Sequence, residues 1–381
     1  MKFIHMADLH LGRRLGEMDL LADQKVALDG ILKSARAFGP QVCLIAGDVY
    51  DRALPPAEAV ELLSWFLTEL CAIAPVCLIG GNHDSQERLS FARSLLQDRG
   101  LYIAGRYRGS LERIGLSDEW GPVDIWLMPF FRAREVRPYF PEQPPEGVDQ
   151  AVRQVLAREQ IDFSRRNLLL MHQFVAGKGF TPQVCDSESV LNAVGGLDAV
   201  DVGSLKGFCY TALGHLHAPQ SIASERVVYA GSLLKYSASE ARQAKGLVAG
   251  ELDGAGNVRL ERLPIPRLHD VRNVKGTLEQ LLSPQAVAGA DPQDYLFVTL
   301  TDARMPQSPL ERLQGTYPNL VKLCYERPAA RAAQAESPQG PPPTPYQQFA
   351  AFFEKMNGRP MDENEAAQAG AAIGAVWEGE A

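Results

Sequence analysis

The chain has 381 residues and a formal net charge of −8, with 46% hydrophobic, 22% charged and 8% aromatic residues. This predicts two or three globular domains and excludes collagen-like, mucin-like and wholly disordered chains. An acidic total also argues against holding nucleic acid by bulk electrostatics, so a polyanionic substrate would need bound cations or local basic patches.

No apolar run approaches the ~18 residues of a membrane span. The start, Met1-Lys2-Phe3-Ile4-His5-Met6-Ala7-Asp8, reads as a strand entering a polar turn rather than a secretory signal, which makes the cytoplasm the expected location. The cysteines Cys43, Cys71, Cys77, Cys185, Cys209 and Cys324 never form C-x-x-C, so reduced thiols are expected instead of a zinc ribbon or disulfide framework.

From Met1 to about Ile265, short β-type runs alternate with helical or loop segments: Phe3 to Ala7, Val42 to Ala46, Val76 to Ile79, Asp124 to Met128, Leu168 to Met171, Tyr210 to Leu213 and Val227 to Ala230. Such alternation predicts a layered α/β domain whose strands are buried on both faces. Between them, Pro56 to Ala72 predicts a helix that is apolar around most of its circumference, carrying Val60, Leu62, Leu63, Trp65, Phe66, Leu67 and Leu70. One sheet face needs only one apolar stripe, so a second partner surface, a homodimer contact, is expected there.

After Pro264-Ile265-Pro266 a small α+β module follows: strand Leu268 to Val274, helix Leu278 to Val287, strand Tyr295 to Thr301, helix Pro309 to Gln314 and strand Leu320 to Tyr325. The expected domains are therefore 1–265, 266–327, a Pro/Ala-rich linker over 328–345, and a helical segment over 346–381. In that last segment Tyr346, Phe349, Phe352 and Phe353 fall on one helical stripe, which Asn357-Gly358 ends. The helical pair either folds back on its own domain or docks a partner on a tether.

The chemistry-bearing residues gather at strand ends. Asp8 and His10 are two apart, so in extended backbone they point to one side. Gly47-Asp48 closes the second strand and Gly80-Gly81-Asn82-His83-Asp84 the third. His172 ends Leu168-Leu169-Leu170-Met171, and Gly214-His215-Leu216-His217 repeats the two-residue spacing. The chain has seven histidines, and five of them sit at these ends; His5, within a strand, and His269, past the proline hinge, are expected to be structural. Mixed carboxylate, imidazole and carboxamide donors suit borderline divalent cations such as Mn²⁺, Fe²⁺ or Zn²⁺. Their number exceeds what one ion needs and fits two ions about 3.5 to 4 Å apart sharing a carboxylate, the arrangement used for phosphoryl displacement.

In this order, Asp8-x-His10, Gly47-Asp48, Gly81-Asn82-His83-Asp84, His172 and Gly214-His215-x-His217 resemble the signature of the calcineurin-like metallophosphoesterases. Within them, Met6-Ala7-Asp8-Leu9-His10-Leu11-Gly12, Ala46-Gly47-Asp48-Val49-Tyr50-Asp51, the module after Pro266 and the aromatic terminal helix are similar to bacterial repair-nuclease subunits that join an ATPase. The resemblance implies an α/β fold: a metallophosphoesterase β-sandwich flanked by helices, with a capping domain and a tethered helical segment. It further implies two divalent ions, Mn²⁺ first and Mg²⁺, Fe²⁺ or Zn²⁺ as alternatives. Asp8, His10 and His217 would hold one, Asn82, His172 and His215 the other, and Asp48 would bridge. His83 would face the scissile phosphate, with Asp84 placed either to orient its ring or to hold the turn. One departure is Leu233 after Gly231-Ser232, where such nucleases often have proline.

The implied substrate is DNA, at duplex ends, hairpins and single strands, and the implied site of action is the nucleoid. Two stretches could meet it: Gln86 to Gly115, with Arg88, Arg93, Arg99, Arg106, Arg108 and Arg113, and the trio Arg132, Arg134 and Arg137 beside Phe130, Phe131 and Tyr139. The chain has no G-x-x-x-x-G-K-[ST] loop, so ATP dependence would come from the partner. Two rivals share the fold: a phosphodiesterase or phosphatase for small substrates, which needs neither module nor tethered helix, and a non-catalytic scaffold, which should have lost ligands.

Overall fold

The computed structural model describes residues 1–177, 180, 182–188, 199–326 and 344–377. Two six-stranded sheets face each other in its first unit, Met1–Tyr325. In chain order the strands are β1 (Lys2–Met6), β2 (Val42–Ala46), β3 (Val76–Ile79), β4 (Leu101–Ala104), β5 (Glu112–Asp118), β6 (Gly121–Met128), β7 (Arg166–His172), β8 (Tyr210–Gly214), β9 (Gln220–Ser221), β10 (Val227–Tyr229), β11 (Gly246–Leu252) and β12 (Val258–Pro264). One sheet runs β12-β11-β1-β2-β3-β4 and the other β9-β10-β8-β7-β6-β5. The strands that lead into the chemistry, β1, β2 and β3 in one sheet and β7 and β8 in the other, pair in parallel. Their C-terminal ends thus share one edge, where ligands sit in open α/β sheets.

Period-two alternation sorts each strand between two cores. Val42, Leu44 and Ala46 face the inter-sheet core with Phe3, Ile79, Ile125, Leu168, Leu170 and Tyr210, whereas Cys43 and Ile45 face outward beneath helices. Those helices are α1 (Leu21–Phe38) and α2 (Ala57–Cys71), which bring Leu28, Ile31, Phe66 and Leu70 onto the sheet. On the far side, Leu169 and Met171 meet Val152 and Val155 of α3 (Val148–Arg158). Each such fully buried aliphatic contributes roughly 1.5–3 kcal/mol.

The broad apolar surface of α2 has a partial intramolecular answer. Leu62, Trp65 and Leu67 are half-buried against the same core, and Lys25 of α1 places its ammonium 3.7 Å over the Trp65 ring; Val60 stays 44% exposed.

Past Pro264 a three-stranded parallel sheet, β13 (Val271–Gly276), β14 (Tyr295–Leu300) and β15 (Leu320–Tyr325), has its own core of Leu278, Leu296, Val298, Leu313 and Tyr317. The single helix expected over Leu278 to Val287 is two short ones, because Ser283 caps a new turn with Pro284 at its first position. Buried Asp23 of α1 ties this module down by accepting from the His269 backbone N–H at 3.1 Å and from the Tyr295 hydroxyl at 2.9 Å.

The second unit contains α4 (Pro345–Asn357) and α5 (Glu363–Trp377). Thr344 and Gln347 form a capping box, and Gly358 ends α4 with φ of 68°. Phe349, Phe352 and Met356 are exposed. The expected linker lies outside the described residues up to position 343, and its last two residues already belong to the cap and first turn of α4. Among the described residues no helix is long and apolar enough to cross a membrane.

Candidate metal centre

Sharp turns deliver the side chains. Beyond β1 and β2 the loops zip together, with Asp8 N–H donating to the Gly47 carbonyl at 3.1 Å, His10 N–H to Asp48 at 3.0 Å and Leu11 N–H to Val49 at 2.9 Å. Asp8, His10, Asp48 and His215 all adopt positive φ, at 52°, 44°, 46° and 103°. Non-glycine residues held there cost on the order of 1–3 kcal/mol each and cluster at functional sites. Gly81 permits the closest approach: a Cβ there would lie 2.1 Å from Asp48 Oδ1. Leu233 gives its N–H to the Asp8 carbonyl at 3.2 Å, a bond that proline could not make.

The structure brings all seven expected ligand positions into one cluster. Three sets of donor atoms each lie within 4.8 Å of one another: Asp8, His10 and His217; Asp8, Asp48 and His172; and His10, Asp51 and His83. His10 Nε2 and His217 Nε2 face each other at 3.0 Å. The Asn82 Oδ1 sits 3.1 Å from His172 Nε2 and 2.9 Å from His215 Nδ1. Asp48 Oδ2 lies 3.8 Å from His10 Nε2 and 3.4 Å from His172 Nε2.

The electrostatics of this pocket favour cations. Burial pushes the Asp8 carboxyl well up, and the nearby His172 only partly offsets it. Burial also lowers His10 and His217, and lowers His215 to about 3, which keeps those rings uncharged at neutral pH. His172 behaves differently: burial would lower it, but the adjacent Asp48 carboxylate raises it to about 9, and the imidazolium in turn holds Asp48 below the usual range against its own burial. Buried carboxyl groups, imidazoles and an amide oxygen converging on shared points are a donor set that fits divalent cations.

His83 stands at the rim, half-buried, with Nδ1 2.8 Å from the Asp51 carbonyl, its backbone N–H donating to Asp48 Oδ1 at 2.8 Å, and its ring edge-on to His10 at 4.9 Å between centroids. Of the two roles expected for Asp84, orienting this ring or holding the turn, its hydrogen bonds accord with the turn. The Asp84 carboxylate accepts from the backbone N–H groups of Gly81, Val49 and Tyr50 at 2.9, 3.2 and 3.0 Å, so it fixes the turn that carries Asn82 and His83, while the Asp51 carbonyl meets the ring. Burial, with Asp48 nearby, raises Asp84 to about 6.

Several neighbours escaped sequence reasoning. Asp51 places Oδ1 3.7 Å from His10 Nδ1 and takes a hydrogen bond from Arg13 at 3.2 Å; its position three residues after Asp48 was the available signal. Ser187 Oγ touches His217 Nδ1 at 2.7 Å. Phe130 lies 6.5 Å from His215 in near-parallel planes, and the Arg132 guanidinium stands 5.6 Å from the centre of the Phe130 ring. Of the arginine stretches, Arg93 pairs with Glu112 and Arg106 with Glu87, and Arg137 donates to the Pro145 carbonyl.

Comparison with known proteins follows the same lines. The calcineurin-like phosphoesterase family matches residues 1–181, and the family described as the type 5 capsule protein repressor C-terminal domain matches residues 267–357. The SbcD subunit of nuclease SbcCD from Staphylococcus epidermidis is 32% identical over 327 residues, covering 85% of both chains. Its counterpart from Staphylococcus saprophyticus is 33% identical over 327 residues, covering 85% of this chain and 84% of its own. A dimetal phosphatase from Danio rerio superposes with a TM-score of 0.41 at 12% identity, over 70% of this chain and 97% of that one.

Proposed function

The chain belongs to the SbcD family of nuclease SbcCD subunits, and from that premise we propose that it is the nuclease subunit of a DNA-repair complex, hydrolysing phosphodiester bonds with two divalent metal ions. The observation that carries the metal assignment is Asp48 Oδ2, which stands between His10 Nε2 at 3.8 Å and His172 Nε2 at 3.4 Å. Asp8, His10 and His217 would hold one ion and Asn82, His172 and His215 the other, with Asp48 shared. Mn²⁺ is the ion proposed, since mixed oxygen and imidazole donors without thiolate suit it. Bound there, two such cations activate a water and offset the charge of the phosphate.

The chain's own residues do the remaining work. His83 faces the rim with one ring nitrogen engaged by the Asp51 carbonyl, which leaves the ring oriented to meet the scissile phosphate or protonate the leaving oxygen. Asp84 holds the backbone turn beneath it. The action proposed is exonucleolytic on duplex ends and endonucleolytic on hairpins and single strands, in the cytoplasm at the nucleoid. An SbcC-type ATPase would dock on the exposed Phe349, Phe352 and Met356 of α4, and a second copy of the chain on α2 around Val60.

The test incubates end-labelled linear duplex with the purified chain and Mn²⁺, beside a His83→Ala variant, with and without the ATPase and ATP. Metal-dependent shortening that the variant loses is expected. Intact DNA alongside hydrolysis of a small phosphodiester would refute the nuclease reading in favour of a small-substrate enzyme.

A further inference from the structure

We propose that Ser187 is a positioning residue for His217, relaying the support of Glu240 across a gap that the histidine cannot bridge alone; the proposal rests on the two-metal reading above. His217 turns Nε2 toward His10 at 3.0 Å, so its other nitrogen, Nδ1, is the one left to carry a hydrogen. That nitrogen meets Ser187 Oγ at 2.7 Å, and the serine hydroxyl donates onward to Glu240 Oε1 at 2.5 Å. Directly, His217 Nδ1 and Glu240 Oε1 are 3.8 Å apart, beyond a hydrogen bond. The serine fills that interval.

Both ends of the relay are fixed. Glu240 is fully buried, and it accepts from Ser237 Oγ at 2.9 Å, from Tyr236 N–H at 3.2 Å, from Ser232 Oγ at 3.1 Å and from Lys245 Nζ at 2.6 Å. Ser187 arrives on a segment remote in sequence, and that segment is pinned at three points: Arg13 Nη2 donates to the Ser187 carbonyl at 3.0 Å, Asp186 N–H to Ser239 Oγ at 2.9 Å, and Glu188 Oε1 accepts from His217 N–H at 2.5 Å. An acceptor held this way selects the tautomer in which the Nε2 lone pair faces His10, and partners of this kind tune metal affinity. In the other half of the centre His172 instead gives its Nδ1 hydrogen to a backbone carbonyl, that of Ala46, at 2.7 Å. The relay therefore supports one half only.

The test counts Mn²⁺ bound to the full-length chain by titration calorimetry, in wild type, Ser187→Ala and Ser187→Thr, with melting of the metal-free proteins alongside. Wild type should bind two ions. Ser187→Ala should weaken one of them roughly 10- to 100-fold and leave the other unchanged, Ser187→Thr should restore it because the hydroxyl returns, and the metal-free melting temperatures should coincide. Wild type binding fewer than two ions would overturn the two-metal reading itself. Two ions in wild type with both affinities unchanged in Ser187→Ala, both weakened alike, or no rescue by threonine, would overturn the relay.

Discussion

His10 and His217 aim their Nε2 atoms at each other across 3.0 Å. Burial holds both imidazoles below their ordinary range, so at neutral pH two uncharged rings converge beside buried Asp8. A cation resolves that arrangement, and binding to the folded state alone stabilises it by about 2.7 kcal/mol per site at a hundredfold excess over Kd. Adding Mn²⁺ to chelator-treated protein should raise the melting temperature by several degrees. In Asp48→Ala, which removes the carboxylate proposed to bridge the two ions, the increment should vanish together with activity. A variant that still binds two ions would refute the shared role of Asp48.

In the proposed assignment His83 is not a ligand: it lies at the rim, where its Nδ1 engages the Asp51 carbonyl and its ring meets His10 edge-on. His83→Ala should therefore keep both metals while turnover falls about 10²- to 10⁴-fold, the usual worth of one proton-transferring or charge-stabilising group. Metal stoichiometry and single-turnover cleavage, measured on the same preparation, separate the two effects.

The site was more legible in the sequence than the sheets that carry it. The proposed ligands announce themselves because they follow apolar runs, several of which are broken by glycine, as Val42–Ala46 before Gly47-Asp48 and Val76–Ile79 before Gly80-Gly81. Strand β11 was missed because Gly246 and Gly250 look like turn residues, although a Cβ at Gly250 would lie 2.2 Å from the Phe3 ring and only glycine fits. Strand β5 was hidden inside the arginine-rich stretch; its alternation between half-buried and exposed residues is that of an edge strand. Ser187 and Glu240 gave no signal, since nothing local marks two residues that meet His217 only through tertiary folding.

Gly214 joins the two sheets at the site. A Cβ on it would stand 1.9 Å from the Ala46 carbonyl oxygen and 2.8 Å from His172 Nδ1, the two atoms whose mutual bond orients His172. Gly214→Ala must push the sheets apart or displace the ring, so a loss of about 1–3 kcal/mol is expected in urea unfolding of the metal-free protein. Metal binding should weaken as well. Unchanged stability would mean that the strand end yields without strain.

The second unit should be separable in function. Its helices carry Phe349, Phe352 and Met356 in the open, whereas every metal-centre donor belongs to the first unit. Deleting residues 346–381 should leave Mn²⁺-dependent cleavage by the free subunit within about twofold and abolish co-elution with an SbcC-type ATPase. An intact complex would place the docking surface elsewhere.

Acid sensitivity should trace in part to His5, buried between the sheets with Nδ1 2.9 Å from the Tyr210 hydroxyl and Nε2 3.1 Å from the Leu213 carbonyl. Burial lowers its pKa from 6.5 to about 3. Between those values the unfolded chain binds a proton that the folded chain refuses, so stability contributed by the neutral ring is present above pH 6.5 and is lost as pH falls toward 3. One group of this kind gives a slope of about 1.4 kcal/mol per pH unit. His5→Gln keeps a polar, uncharged side chain at the position. Denaturant unfolding of the metal-free protein from pH 7 to pH 5 should show wild type losing stability faster than the variant by roughly that slope. Parallel curves would mean that the buried imidazole accepts its proton without opening the sheets.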